Sequence, residues 1–131
     1  MQNLKAPFTP VWDHIHLRVT DPDAAAAWFA DVLGAEIVRS PGRVDVIVGG
    51  QKVFLLQTPA TDNPSPPHPH RGLDHFGVQV KDVDQVVAHL KDKGVRFTTE
   101  IQTPRPGIRL AFIEGPEGIS IEILERDEKY R

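Results

Sequence analysis

Two stretches of this sequence repeat a pattern of side chains suited to metal or proton chemistry. DHIHLRV at Asp13–Val19 and DHFGVQV at Asp74–Val80 superpose with Asp13 on Asp74, His14 on His75 and Val19 on Val80. The match continues to Asp21 and Asp23 on Asp82 and Asp84, while His16 falls on Gly77. The duplication therefore singles out His14 and His75 as equivalent histidines and leaves His16 as a feature of the first half. A third group of ligand type is Glu122, in ISIEIL, where Ile119, Ile121 and Ile123 occupy one side of an alternating segment and Glu122 the other. Two neutral imidazoles and one carboxylate suit a single divalent first-row ion (Fe, Mn, Co, Ni or Zn) and leave positions open for water or substrate. His14, His75 and Glu122 are the expected metal ligands, provided that the elements carrying them converge.

Those elements follow from periodicity and punctuation. Ile15, Leu17 and Val19 alternate with His14, His16 and Arg18, and Phe76, Val78 and Val80 alternate with His75, Gly77 and Gln79, which predicts a half-buried strand in each repeat. Asp21 is a good N-cap, Pro22 suits the first helical position, and Gly34 ends a helix over Ala24–Leu33. Asp82 and Gly94 bracket its counterpart, Val83–Lys93. Apolar, β-branched runs at Glu36–Arg39, Val44–Val48 and Lys52–Gln57, then at Val95–Thr98, Ile108–Ile113 and Ile119–Leu124, predict three further strands in each half. The fold class is α+β: two tandem βαβββ modules whose curved mixed sheets form a cup with the helices outside. Module one spans about 11–58 and module two about 73–125, within one domain covering 1–131. The Pro-rich stretch 59–72 joins them as an extended connector, and its His68 and His70 are expected in a solvated loop.

The rest of the composition narrows the partners. A chain of 131 residues with 40% hydrophobic and 25% charged content describes one ordinary globular domain with one core. It has no Cys, which rules out disulfide and thiolate chemistry. The 15 basic and 18 acidic residues are mixed along the chain and give no basic stripe, so neither nucleic acid nor an anionic membrane is an expected partner. The segment MQNLKAPFTPVWD has no apolar run, so no targeting or spanning segment is expected, and a cytoplasmic location is the default.

A family resemblance rests on DHIHLRVTD (13–21), WFADVLG (28–34), GLDHFGVQV (72–80) and GPEGISIEIL (115–124). From about Val11 to Glu125 the chain resembles members of the vicinal oxygen chelate superfamily, which includes glyoxalase I, methylmalonyl-CoA epimerase, extradiol dioxygenases and the fosfomycin and bleomycin resistance proteins. The resemblance implies metal ligands on the first and last strands of each half: His14, His75, Glu122 and a residue near Leu55. That fourth position is a departure. Pairing Leu55–Gln57 with Glu122–Leu124 puts Leu55 there, a slip of one puts Leu56 there, and neither can bind a metal. Arg18 lies where glyoxalase I has an arginine for the glutathione carboxylate, but the lost ligand and the segment QTPAT argue against a true glyoxalase I. The remaining two histidines and one carboxylate resemble the set of the extradiol dioxygenases.

The function implied is that of a metal-dependent, glyoxalase-like lyase or isomerase/epimerase. A divalent ion would chelate a small substrate with adjacent oxygens and stabilise its enolate. Glu122 or His16 would take the α-proton. Arg18 and Arg109 would anchor an anionic tail, and Gln57, on the face of Leu55, would touch the substrate. Two readings from other classes stand beside this one: an Fe(II) extradiol-type dioxygenase, and a metal-free protein that sequesters a small molecule, as drug-resistance members do. Three ligand-type residues at matched strand positions speak against the last. A homodimer is expected, with the two halves paired within a chain or exchanged between chains.

Overall fold

Asp21 and Asp82 stand at equivalent points of the two halves and start the two helices in the same way. Each has extended backbone, and its carboxylate accepts a backbone hydrogen bond, from Ala24 N at 3.0 Å and from Gln85 N at 3.1 Å. In the computed structural model, which describes residues 7–130, these caps open α1 (Pro22–Leu33) and α2 (Val83–Asp92). Residues 1–6 and 131, at the two ends of the expected domain and within the N-terminal segment, lie outside the described residues. Gly34 closes α1 in the left-handed conformation at φ 66, where its N–H reaches Ala30 O.

Two four-stranded mixed sheets accompany the helices. The first contains β1 (His14–Val19), β2 (Glu36–Ser40), β3 (Arg43–Val48) and β4 (Gln51–Gln57) in the order β1-β4-β3-β2. The second contains β5 (His75–Gln79), β6 (Phe97–Arg105), β7 (Ile108–Glu114) and β8 (Ser120–Arg126) in the order β5-β8-β7-β6. The tandem βαβββ organisation is as the sequence predicts. In each half the first strand is parallel to the last, because a helical crossover separates it from an antiparallel meander of three strands. This places β1 and β5, the two histidine strands, at the edges of separate sheets.

Each helix covers one face of its sheet. Phe29, Ala25 and Ala26 of α1 pack with Val44, Val46, Val53 and Leu55, and Val83, Val87 and Leu90 of α2 belong to the same core cluster as Ile113, Ile121 and Ile123. Phe29 is fully buried, and removing such a ring costs about 3–5 kcal/mol. The alternating residues, His14, His16 and Arg18 in one half and His75, Gly77 and Glu122 in the other, are left on the faces turned away from this core.

One strand is longer than its sequence suggests. TPRPG at 103–107 reads as a loop, yet β6 runs to Arg105 through Pro104. It can do so because β6 is an edge strand, where proline's missing N–H breaks no ladder, and because its pairing with β7 shifts register three times.

Candidate metal centre

The second module brings two side chains of ligand type together. β5 and β8 run parallel with His75 opposite Ser120 and Gly77 opposite Glu122, so these four positions share one side of the sheet. His75 Nε2 lies 3.0 Å from Glu122 Oε1, and its Nδ1 donates to Asp74 Oδ2 at 2.7 Å. That hydrogen bond fixes the ring and turns the Nε2 lone pair toward Glu122. A lone pair and a carboxylate oxygen at 3.0 Å repel unless a proton or a cation lies between them. A carboxylate behind a histidine is the usual outer support of a metal-binding imidazole, so the donor set fits a divalent ion. The hydrogen bond to His75, followed by the charge of His68, holds the Asp74 carboxyl below its ordinary range.

Gly77 lies beside Glu122 and packs closely under Leu124. A Cβ at that position would lie 3.3 Å from Leu124 Cδ2 and 3.5 Å from Glu122 Oε1. The His75 ring is further held edge-on against Phe112, with centroids 4.9 Å apart and planes at 90°. Phe112, Gly77 and Asp74 are not among the site residues that the sequence suggested. Of these, Asp74 had a visible signal, since Asp precedes His in both repeats.

The first module offers the matching half. His14 Nδ1 donates to Asp13 Oδ2 at 2.8 Å, the same support that His75 receives, and the His14 ring stacks on Phe54 with centroids 4.1 Å apart. The His14 hydrogen bond, followed by the charge of Lys52, holds the Asp13 carboxyl below its ordinary range. β1 and β4 pair His14 with Lys52, His16 with Phe54 and Arg18 with Leu56. All six therefore lie on one side of the sheet. Arg18 and His16 are exposed there, with no hydrogen-bond or ion-pair partner among the described residues.

The parallel registers also correct the fourth-ligand position. Glu122 stands opposite Gly77 and Phe54 stands opposite His16, the residue equivalent to Gly77, so Phe54 is the counterpart of Glu122. Leu55 faces the α1 core and is 1% exposed. Neither Leu55 nor Leu56 occupies the position equivalent to Glu122; the aromatic ring of Phe54 does, and it too cannot bind a metal.

Two other expected site residues, Gln57 and Arg109, and the connector histidines are placed differently from one another. Gln57 lies opposite Val19 at the end of β4 near the start of α1, with its side-chain Nε2 3.5 Å from Thr20 O, on the core-facing alternation rather than the histidine face. Arg109 stands opposite Glu125 and binds both carboxylate oxygens of Asp84 in the first turn of α2, one of them at 3.0 Å from Nη2. It is thus on the helix side of its sheet, away from Glu122. His68, read from sequence as part of a solvated loop, brings its Nε2 to 3.4 Å from Asp74 Oδ2, whereas His70 Nδ1 lies 2.9 Å from Arg71 O.

Within one chain the two halves share a core, and Thr20 donates to Glu117 and Lys93 to Asp31 across them, but their ligand-type side chains do not converge. No three metal-ligating side chains come together among the described residues, so His14 does not join His75 and Glu122. The Glyoxalase/Bleomycin resistance protein/Dioxygenase superfamily profile matches residues 12–123. The chain belongs to this superfamily. The uncharacterized protein YaeR of Escherichia coli (strain K12) is a superfamily relative 29% identical over 121 residues, covering 86% of this chain and 94% of its own. Bovine mitochondrial methylmalonyl-CoA epimerase is 30% identical over 107 residues, covering 70% of this chain and 61% of its own. The lactoylglutathione lyase GLX1 of Arabidopsis thaliana is 26% identical, with 86% of this chain matching 43% of its length. Among solved structures, the fosfomycin resistance protein FosX from Listeria monocytogenes superposes with a TM-score of 0.74 at 16% identity, covering 95% of this chain and 99% of its own. A Bacillus cereus glyoxalase family protein gives 0.74 at 19% identity, covering 94% and 99%. Homologues of the superfamily chain thus include lyases and epimerases, and the fold is the glyoxalase fold. No helix among the described residues is long and apolar enough to cross a membrane.

Proposed function

We propose that this protein is a metal-dependent lyase or isomerase/epimerase acting on a small substrate with adjacent oxygens, and that its site is shared between two copies of the chain. The observation that supports it most is the Asp74–His75–Glu122 arrangement, in which an oriented imidazole and a carboxylate meet at 3.0 Å. His75 and Glu122 of one copy and His14 of another would hold the ion. The two histidine strands lie at sheet edges, so a second copy can set its β1 beside β5 without breaking any strand pair. Trp12, 68% exposed just before the His14 strand, and Leu73, 75% exposed just before the His75 strand, are apolar surfaces at the same seam.

A divalent ion held there supplies a Lewis acid for two vicinal oxygens and for the charge of an enolate. The chain's own residues supply the rest. Arg18, exposed and unpaired among the described residues, binds an anionic group on the substrate. His16, on the same side of β1 as His14, takes or returns the α-proton at an imidazole nitrogen. Asp13 and Asp74 keep the two ligand rings fixed.

One observation favours a second chemistry. Phe54 at the position equivalent to Glu122 leaves two histidines and one carboxylate, the set that an Fe(II) oxygenase uses. Metal analysis of the purified protein, after reconstitution with Fe(II), Mn(II), Co(II), Ni(II) and Zn(II) in turn, tests both. One ion per chain, lost in His14→Ala and in Glu122→Ala, is the expected result. Binding of none of the five ions overturns the proposal and leaves the sequestering protein. Turnover that consumes oxygen in the Fe(II)-loaded protein selects the oxygenase.

A further inference from the structure

The polar side of the second sheet holds a cavity that the proposed ligands do not use. It measures about 500 Å3, and the connector residues Ser65, Pro66 and His68 line it together with Thr98, Thr99 and Phe112 of the sheet. A volume of this order is that of a small-molecule site.

Three features point to a ligand with many hydroxyls. First, the β6–β7 register slips between the pair Phe97–Ile113 and the pair Thr99–Phe112. Neighbours in a regular strand face opposite ways, but this irregularity lets both Thr98 and Thr99 line the cavity. Second, Ser120 lies at the same cavity and opposite His75 in the β5–β8 ladder. It is 8% exposed, and its Oγ has no hydrogen-bond partner. An unmet buried hydroxyl is costly, and a ligand oxygen removes that cost. Third, the charged groups at the cavity are already engaged. Arg96 Nη1 lies 3.2 Å from Glu114 Oε2, and Glu117 Oε1 accepts from Thr20 N at 2.8 Å and Thr20 Oγ1 at 3.1 Å. An anion would meet Glu114 and Glu117, and a cation would meet Arg96. What remains for recognition is a set of hydroxyls, each of which both donates and accepts, the His68 ring, whose Nε2 already faces Asp74, and the ring of Phe112, which also holds His75.

We propose that this cavity binds the neutral, polyhydroxylated portion of the substrate, whose adjacent oxygens reach His75 and Glu122. The substrate class is then an α-hydroxycarbonyl compound with a sugar-like tail. The inference rests on the metal-chelate reading for the head of the substrate but not for its tail, so the tail is tested on metal-free protein.

Isotope-labelled full-length protein, freed of metal by a chelator, is titrated with D-xylose, and the backbone amide resonances of Thr98, Thr99 and Ser120 are followed by NMR. D-Xylonate and n-pentanol are the charged and apolar comparators. Saturable shifts with D-xylose are expected, with weaker effects from the other two. Ser120→Ala and Thr99→Val should each weaken D-xylose binding by about fivefold, the equivalent of one hydrogen bond. Ser120→Ala should keep or raise the parent's thermal midpoint, because the buried hydroxyl it removes has no partner in the protein. No saturable shift with D-xylose, tighter binding of D-xylonate or n-pentanol, or unchanged affinity in both variants overturns the inference. Such a failure leaves the metal proposal standing, and a failure to bind metal leaves the D-xylose result unaffected.

Discussion

Asp74 accepts a 2.7 Å hydrogen bond from His75 Nδ1, and Asp13 accepts one of 2.8 Å from His14 Nδ1, so the two modules present their histidines with the same support. Replacing the carboxylate while leaving the imidazole isolates that support. Asp74→Asn is expected to lower divalent-metal affinity by about 10–100-fold with little change in folding. Calorimetric titration with Zn(II) or Ni(II) reads the effect. An unchanged affinity would mean that Asp74 only decorates the turn.

Gly77 stands beside Glu122, where a Cβ would just touch the carboxylate and a branched side chain would crowd it. Gly77→Val adds methyl groups where even a Cβ lies 3.5 Å from Glu122 Oε1. Valine suits a strand, so the variant should fold. Its metal affinity should fall by about tenfold or more through displacement of the ligand. Circular dichroism checks the first expectation and metal titration the second.

The register difference between Leu55 and Phe54 is open to a direct swap. Leu55→Glu puts a carboxylate into the α1 core, where the position is 1% exposed, and should abolish cooperative folding. Phe54→Glu puts the same group on the His14 side of the sheet. It gives up the stacking on His14 and the contact of Arg43 at 3.9 Å, a loss of about 1–2 kcal/mol, and should remain folded. Thermal denaturation of both variants decides the register; a stable Leu55→Glu protein contradicts it.

Arg109 gives a pH-dependent test of a role in folding rather than in binding. Its hydrogen bond to Asp84 holds that carboxyl below the ordinary value of 3.8. A depressed carboxylate stabilises the fold above its unfolded value, and the contribution is lost as pH falls through the folded one. Arg109→Ala should therefore lower the thermal midpoint slightly at neutral pH, by an amount typical of an exposed pair. The difference from the parent should begin to shrink as pH falls to about 3.8 and vanish only once it has passed the lower, folded value of Asp84. Metal binding should not change.

Much of this molecule is readable in its sequence, for local reasons. The Asp21–Pro22 start and the Gly34 stop of α1 are set by neighbouring backbone chemistry, and the alternation in Asp13–Val19 fixes which side chains share a face. The misplaced residues depend on alignment between distant strands. Counting from strand ends set Leu55 against Glu122, whereas the parallel ladders set Phe54 there, and one residue of slip exchanges core for surface. Arg109 looks like an anchor for an anion until α2 brings Asp84 to it. Nor does a sequence show that Thr98 and Thr99 line the same cavity, because that depends on how β6 slips against β7. Whether His14 meets His75 is a question of assembly, which repeat patterns leave open.

The shared site is tested most directly by pairing damaged chains. His14→Ala and Glu122→Ala chains carrying different affinity tags are co-expressed, the heterodimers are isolated through both tags, and metal content is measured after reconstitution with Zn(II) or Ni(II). In a shared arrangement, one of the two sites takes its intact His14 from the Glu122→Ala chain and its intact His75 and Glu122 from the His14→Ala chain. The account predicts one tightly bound ion per heterodimer and none in either parent variant. Heterodimers as empty as both parents, beside an unaltered protein that binds the ion, would contradict a site built from two copies.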